Sequence, residues 1–223
     1  MINNRIVSLI YKSILVTVCL ICNYNFLIDF SGDTLLYFTV LSNILVFIVT
    51  IMVWIKTIKK VVCEKSYEGK NENFLIIKGV ATLCITVTGL VYAFLLAEYN
   101  TKANYYSHNL MVHYIVPILF VLDYFLFDQK GKTKWYHPLI WIGCAILYIP
   151  YVFIRVAIIN ATSSSLTRYP YFFLNAAELG VGGVAVWCVI LVIVFSVIAY
   201  AYYIFDYFYN KKKNNIEVTT ISD

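Results

Sequence analysis

The chain has 223 residues, 61% of them hydrophobic and 13% charged, with a net charge of +5 and a mean hydropathy of +0.78. A chain this apolar has too little polar surface to cover a water-soluble globule. Six spanning helices of about 20 residues each, with short loops, use nearly all of it and leave no room for a separate soluble domain.

Arg5 precedes an apolar run over 6–28 that is long enough to span and lacks a small-residue cleavage site, so it reads as a retained first helix, not a signal peptide. Further apolar runs predict helices over 36–56, 76–97, 109–127, 137–158 and 183–207. The expected fold is therefore all-α: one polytopic domain of six transmembrane helices over 1–210, followed by a short cytoplasmic tail over 211–223 whose NNIEVTTISD stretch reads as a disordered, irregular end. Two connections are longer than the rest. The stretch KTIKKVVCEKSYEGKNENF is charged, whereas the segment after helix five is rich in Ser, Thr, Gly and aromatic residues.

If six helices alternate, Arg5, Lys12, Lys56, Lys59, Lys60, Lys65, Lys70, Lys78, Lys130, Lys132, Lys134 and Lys211 to Lys213 fall on one side. Lys102, Arg155 and Arg168 fall on the other, a split of 14 against 3. The positive-inside rule then places both termini in the cytoplasm, and the cationic excess reads as topology, not as a nucleic-acid footprint. Tyr200, Tyr202, Tyr203, Tyr207 and Tyr209 before the last lysine run fit an interfacial aromatic belt. Five of the six cysteines lie inside apolar runs and read as small apolar filler, including the Cys19 and Cys22 pair. The 20 Tyr and 15 Phe, with abundant Ile, Asn and Lys, are residues of AT-rich codons and point to a bacterial plasma membrane.

Polar groups inside a bilayer are costly, so their placement is informative. Near the outer face lie Asn23 and Asn25 of helix one, Thr39 and Asn43 of helix two, Glu98 ending helix three, Asn109 and His113 of helix four, and Arg155 of helix five. At 1.5 Å per residue Thr39, His113 and Arg155 share one layer roughly 5 Å below the outer boundary. Thr39 with Asn43, and Asn109 with His113, are i,i+4 pairs on one face, so either asparagine can orient a neighbour. Threonine is a weak nucleophile unless a base takes its proton, and histidine is the base of suitable pKa, so the pair makes sense for acyl transfer. The plainer readings are a threonine bonded to its own i−4 carbonyl, a histidine among headgroups and an arginine that snorkels. Asp123 lies about 15 Å deeper than His113, too far to orient it, and reads as a solvated or paired group near the cytoplasmic end. Pro117, one turn below His113, kinks the helix or frees backbone groups. The aromatic segment RYPYFFLN over 168–175 reads as a folded cap. No metal-ligand spacing and no cofactor motif is present, so neither is expected.

The blocks Tyr37-Phe-Thr-Val-Leu-Ser-Asn43, His113-Tyr-Ile-Val-Pro117 with Asp123, and Tyr148 with Arg155 followed by Tyr169-Pro-Tyr171 and Gly180 resemble the motif blocks of the Pr6Pr membrane proteins. That family is related to the FAR-17a-like proteins, the androgen-induced gene 1 and androgen-dependent TFPI-regulating proteins. The resemblance covers about 37–183 in the expected order. It implies a six-helix membrane threonine hydrolase acting on fatty acid esters of hydroxy fatty acids or similar lipid esters, with Thr39 as nucleophile and His113 as base. In the reading that follows, Asn43, Asn109 or a backbone N–H stabilises or orients, Arg155 holds a substrate carboxylate, and membrane lipid is the partner. The alternative is a non-catalytic lipid-binding or structural membrane protein. A transporter is weaker, because no inverted repeat is seen and few charged groups sit at mid-membrane.

Overall fold

The computed structural model describes residues 1–28, 33–70, 74–97, 106–162 and 167–222. Among them the chain is helical without a strand, and six helices are long and apolar enough to cross a membrane. The architecture is that of an integral membrane protein.

Span one is Arg5–Ile28, and its exposed first-turn amides of Ile6 and Val7 donate to the Asn4 side chain at 2.9 and 3.1 Å. Span two is Phe38–Ile58 and runs on as a π turn, Lys59–Cys63. Span three is Leu75–Val91 with a π turn Tyr92–Leu96. Span four is assembled from Tyr106–Leu110, a π turn Met111–Ile115, and Val116–Phe127. Span five is His137–Ile146 and Tyr148–Thr162, and span six is Ala176–Ser222. Span three is the most buried of the six and packs against spans two, four, five and six. An even number of crossings brings both ends of the membrane portion to one face, here the basal face, with Thr39 near the opposite one.

Several boundaries differ from the periodicity, each for a local reason. Span two begins two residues later than expected. Thr34–Leu36 forms a 3-10 turn and Tyr37 is extended, so Thr39 belongs to the first helical turn. Span five breaks at Leu147 because Pro150 has no amide hydrogen for the Ile146 carbonyl. Span six starts earlier, at Ala176, and is interrupted at Gly180, whose φ of 65° and ψ of 171° suit only a residue without Cβ. Beyond the apolar stretch its backbone stays helical to Ser222, where an irregular tail was expected. No Gly or Pro stops it, and extending an existing helix is far easier than starting one. Glu98 lies outside the described residues.

The basal half is held by an ionic cluster. Lys12 Nζ donates to Asp123 at 2.7 Å and to Ser8 Oγ at 2.8 Å. Lys78 Nζ reaches Asp123 at 2.5 Å and Asp128 at 2.7 Å. All four charged side chains are buried, so spans one, three and four are joined by ion pairs inside the bundle. Of the two readings its depth allowed, Asp123 is thus the paired and not the solvated one, while Lys12 and Lys78 serve the interior as well as the charge asymmetry. Cys19, Cys22 and Cys84 are buried thiols in the apolar cores.

Removing one partner of such a cluster leaves an uncompensated buried charge. Lys78→Met is expected to lower unfolding stability by ~3–5 kcal/mol, and the double change Lys78→Met with Asp128→Asn by less, measured by thermal unfolding in detergent. Lys130, in the loop after span four, donates to the Tyr124 carbonyl at 2.8 Å, and burial pushes its ammonium down to about 7. In that case the folded protein releases a proton that the unfolded chain keeps between about 7 and 10.5. Stability gains from Lys130 as pH rises through that window, and the penalty is fully present below it. Lys130→Met should raise the melting temperature most below pH 7 and flatten its rise on the alkaline side.

Candidate functional site

Pro117 shapes the outer half of span four. Without an amide hydrogen it leaves carbonyls one turn earlier without their helical donor, and the helix answers with the π turn at Met111–Ile115, where the Val116 amide bonds the Met111 carbonyl. The two carbonyls so released are both accommodated by neighbours. The Asn43 amide of span two donates to the Val112 carbonyl at 3.2 Å and to the Thr39 carbonyl at 2.8 Å. The His113 carbonyl faces Gly89 of span three, where a Cβ would stand 3.0 Å from its oxygen. Asn43 therefore bridges the main chains of spans two and four. Both of its amide hydrogens are engaged, and one nitrogen links the residue before His113 to Thr39.

The His113 imidazole stacks on Tyr92 of the facing π turn, with ring centroids 3.8 Å apart and planes 9° from parallel. It is buried, and its Nδ1 has no hydrogen-bond partner among the described residues. The imidazole also hydrogen-bonds the main chain of Thr88. Thr88 Oγ1 is hydrogen-bonded to Ser42 Oγ at 2.8 Å, and Ser42 Oγ donates to the Thr39 carbonyl at 3.0 Å. Asn109 sits half-buried one turn before His113. The π turn between them lies across the regular α-helical spacing from which their shared face was inferred.

Thr39 lines a narrow apolar cavity of about 50 Å³, together with Thr88, Tyr148, Tyr171 and the aromatic rings of Phe38 and Phe195. The Tyr171 hydroxyl lies 3.5 Å from the Thr39 amide, a long contact that covers one of the first-turn N–H groups that no helix can satisfy internally. Burial pushes the Tyr171 phenol up, so the hydroxyl faces the helix terminus in its neutral form. The Tyr148 hydroxyl donates to the Leu36 carbonyl at 2.8 Å, fixing the turn before span two. His113 does not line this cavity, and no hydrogen bond joins it to Thr39 among the described residues.

Arg155 is already held. Its guanidinium pairs with Asp33 at 2.7 Å and donates to the Thr167 carbonyl at 2.5 Å, while the Thr167 amide donates to Asp33 at 3.0 Å. This clasp ties the turn before span two to the cap, whose Phe173 and Leu174 are buried. The carboxylate expected from a substrate is thus matched by one of the chain's own. Tyr171 entered sequence reasoning only as part of the cap and of the Tyr169-Pro-Tyr171 block, and Tyr92, Thr88 and Asp33 escaped it. Only Asp33 carried a usable signal, as an acid across the bilayer face from a lone arginine.

Comparison with family models, curated proteins and solved structures found no match.

The role of Asn43 gives a double-mutant test. Asn43→Leu strands the Val112 carbonyl, while Ser42 still donates to that of Thr39, and should cost about 1–3 kcal/mol. Pro117→Ala restores an amide donor in span four, so Asn43→Leu should cost measurably less in that background when both are unfolded thermally.

Proposed function

We propose that the chain is a membrane-embedded lipid-ester hydrolase that uses Thr39 as nucleophile and His113 as general base, working from the half of the bilayer opposite the termini. The observation that carries this reading is a buried imidazole with an unpartnered nitrogen on span four and a cavity-lining threonine on span two, the main chains of the two spans linked by Asn43. An unsatisfied polar atom inside a native fold calls for a reason, and a base awaiting its substrate is one. The resemblance of the Thr39, His113 and Tyr171 blocks to the Pr6Pr proteins supports the same assignment.

In this mechanism His113 takes the Thr39 hydroxyl proton as the oxygen attacks the ester carbonyl. The tetrahedral oxyanion is met by the first-turn N–H of span two, which Tyr171 covers in the resting arrangement. Collapse expels the alcohol, which receives the proton from the imidazolium, and a water activated by His113 then releases the acid from acyl-Thr39. The imidazole must turn from Tyr92 toward Thr39, and the cavity of about 50 Å³ must widen, since ligand pockets run to several hundred Å³. Catalytic hydrogen bonds often tighten only when substrate is bound. Arg155 acts in this scheme as the clasp on the cap, with no contact to substrate.

A second reading, a non-catalytic lipid-binding protein, is favoured by the separation of the imidazole from the Thr39 cavity. The two part on a single experiment. Purified wild-type protein should label with a fluorophosphonate and hydrolyse a medium-chain lipid ester; Thr39→Ala and His113→Ala should each lose at least about a hundredfold in turnover while keeping their helical content, with Thr39→Ser retaining part of it. Full turnover in Thr39→Ala would sink the hydrolase, and lipid retention without turnover in the wild type would favour the binder.

A further inference from the structure

A single amide is a thin provision for a tetrahedral oxyanion, because acyl-transfer sites aim more than one donor at the developing charge. The polar side chains nearest to Thr39 in the fold are already spent. Both amide hydrogens of Asn43 go to the Thr39 and Val112 carbonyls, Ser42 Oγ donates to the Thr39 carbonyl, and the Arg155 guanidinium is closed on Asp33 and Thr167. Of the phenols that line the Thr39 cavity, Tyr148 gives its proton to the Leu36 carbonyl at 2.8 Å. The Tyr171 proton goes to no carbonyl among the described residues.

The place of the Tyr171 oxygen follows from how span two begins. The Val40 amide bonds back to the Tyr37 carbonyl at 3.0 Å, which leaves the amides ahead of it, on Phe38 and Thr39, without an acceptor inside the helix. Both are met by the Tyr171 oxygen, the Thr39 amide at 3.5 Å, and the Thr39 hydroxyl hydrogen-bonds the same phenol. An oxygen that meets both the amide and the hydroxyl of Thr39 stands beside the point where an ester carbonyl must arrive for attack. The ring is held there by its neighbours. Phe173 stacks on it with centroids 5.0 Å apart and planes 10° from parallel, and Tyr37 meets it edge-on at 6.1 Å. Burial pushes the phenol up, so it meets an oxyanion as a donor and not as a second negative charge.

We propose that Tyr171 is a catalytic residue, the second donor to the oxyanion formed on Thr39; this inference rests on the hydrolase reading. The arriving carbonyl oxygen takes the Thr39 amide from the phenol oxygen, and the phenol turns its own O–H on the same atom. No proton leaves Tyr171. The Thr39 proton passes to His113 and from there to the departing alcohol, while the phenol contributes a hydrogen bond that strengthens as charge gathers on the carbonyl oxygen. The ester ground state carries little of that charge, so the contribution falls on the tetrahedral stage and not on substrate binding. The apolar walls of the cavity, with little water to compete, increase its effect.

The test is turnover of a medium-chain lipid ester by the purified full chain in detergent, with Tyr171→Phe measured beside wild type and Thr39→Ala. Tyr171→Phe keeps the ring and loses only the hydroxyl. It is expected to lower kcat about a hundredfold while KM stays within about threefold. A trifluoromethyl ketone of the same acyl chain, which traps the tetrahedral oxyanion on Thr39, should bind it more weakly by a similar factor. If Tyr171→Phe does not fold, a fluorotyrosine at the same position keeps the donor and makes it more acidic, and kcat should then fall on the alkaline side where that of the wild type does not. Turnover that Thr39→Ala abolishes and Tyr171→Phe leaves unchanged overturns the role of Tyr171 and leaves the hydrolase standing. A rise in turnover overturns it too and marks the phenol as a plug, and a loss carried by KM alone reduces Tyr171 to a wall of the cavity. A wild type without turnover removes the hydrolase reading and this inference with it.

Discussion

Pro117 withholds one amide hydrogen, and in a bilayer a missing donor cannot be replaced by solvent. Span four must answer from within, with the π turn at Met111–Ile115, while span two answers with Asn43 and span three with the open backbone of Gly89. Three helices are thereby brought to fixed positions around His113, and the imidazole is delivered to a π turn that faces another, with Tyr92 stacked upon it. The outer site follows from how the neighbouring helices accommodate one proline. The carbonyl that Asn43 satisfies and the one that Gly89 accommodates are consecutive, so changing either neighbour disturbs the same turn.

The basal end solves the opposite problem, an excess of charge. Two lysines and two aspartates inside the bundle neutralise one another across spans one, three and four. A buried ion pair of this kind adds little net stability against apolar residues of equal volume. What it does add is discrimination among packings, since any other arrangement of the three helices would strand a charge in the apolar interior. The outer end relies on hydroxyls and amides for the same task, and the inner end on formal charge.

The six spans were legible because about 20 apolar residues in a row have few other uses, and because lysines alternate so sharply between loops. Counting along ideal helices set Thr39 and His113 at equal depth. It could not give how their side chains face one another, because counting assumes 3.6 residues per turn while span four forms a π turn around His113, and span two begins with Tyr37 extended, putting Thr39 in the first turn. Arg155 illustrates a different limit. Its chemistry called for a carboxylate, and sequence alone could not tell that Asp33, 122 positions away, would supply it. Lys78 and Asp123 were visible as charges, but which spans they joined depended on helix rotation, which hydropathy leaves open.

The cap over the outer cavity has a bearing on how access and affinity relate. Tyr171 both lines the cavity and shields the leading amide of span two, and the strap that carries it is moored through Thr167 to Asp33 and Arg155. Whatever occupies that amide competes with the phenol, so occupancy and strap position are thermodynamically reciprocal. A mooring that is tightened weakens the guest, and a guest that settles in loosens the strap, which makes this loop a reporter of events inside the bundle.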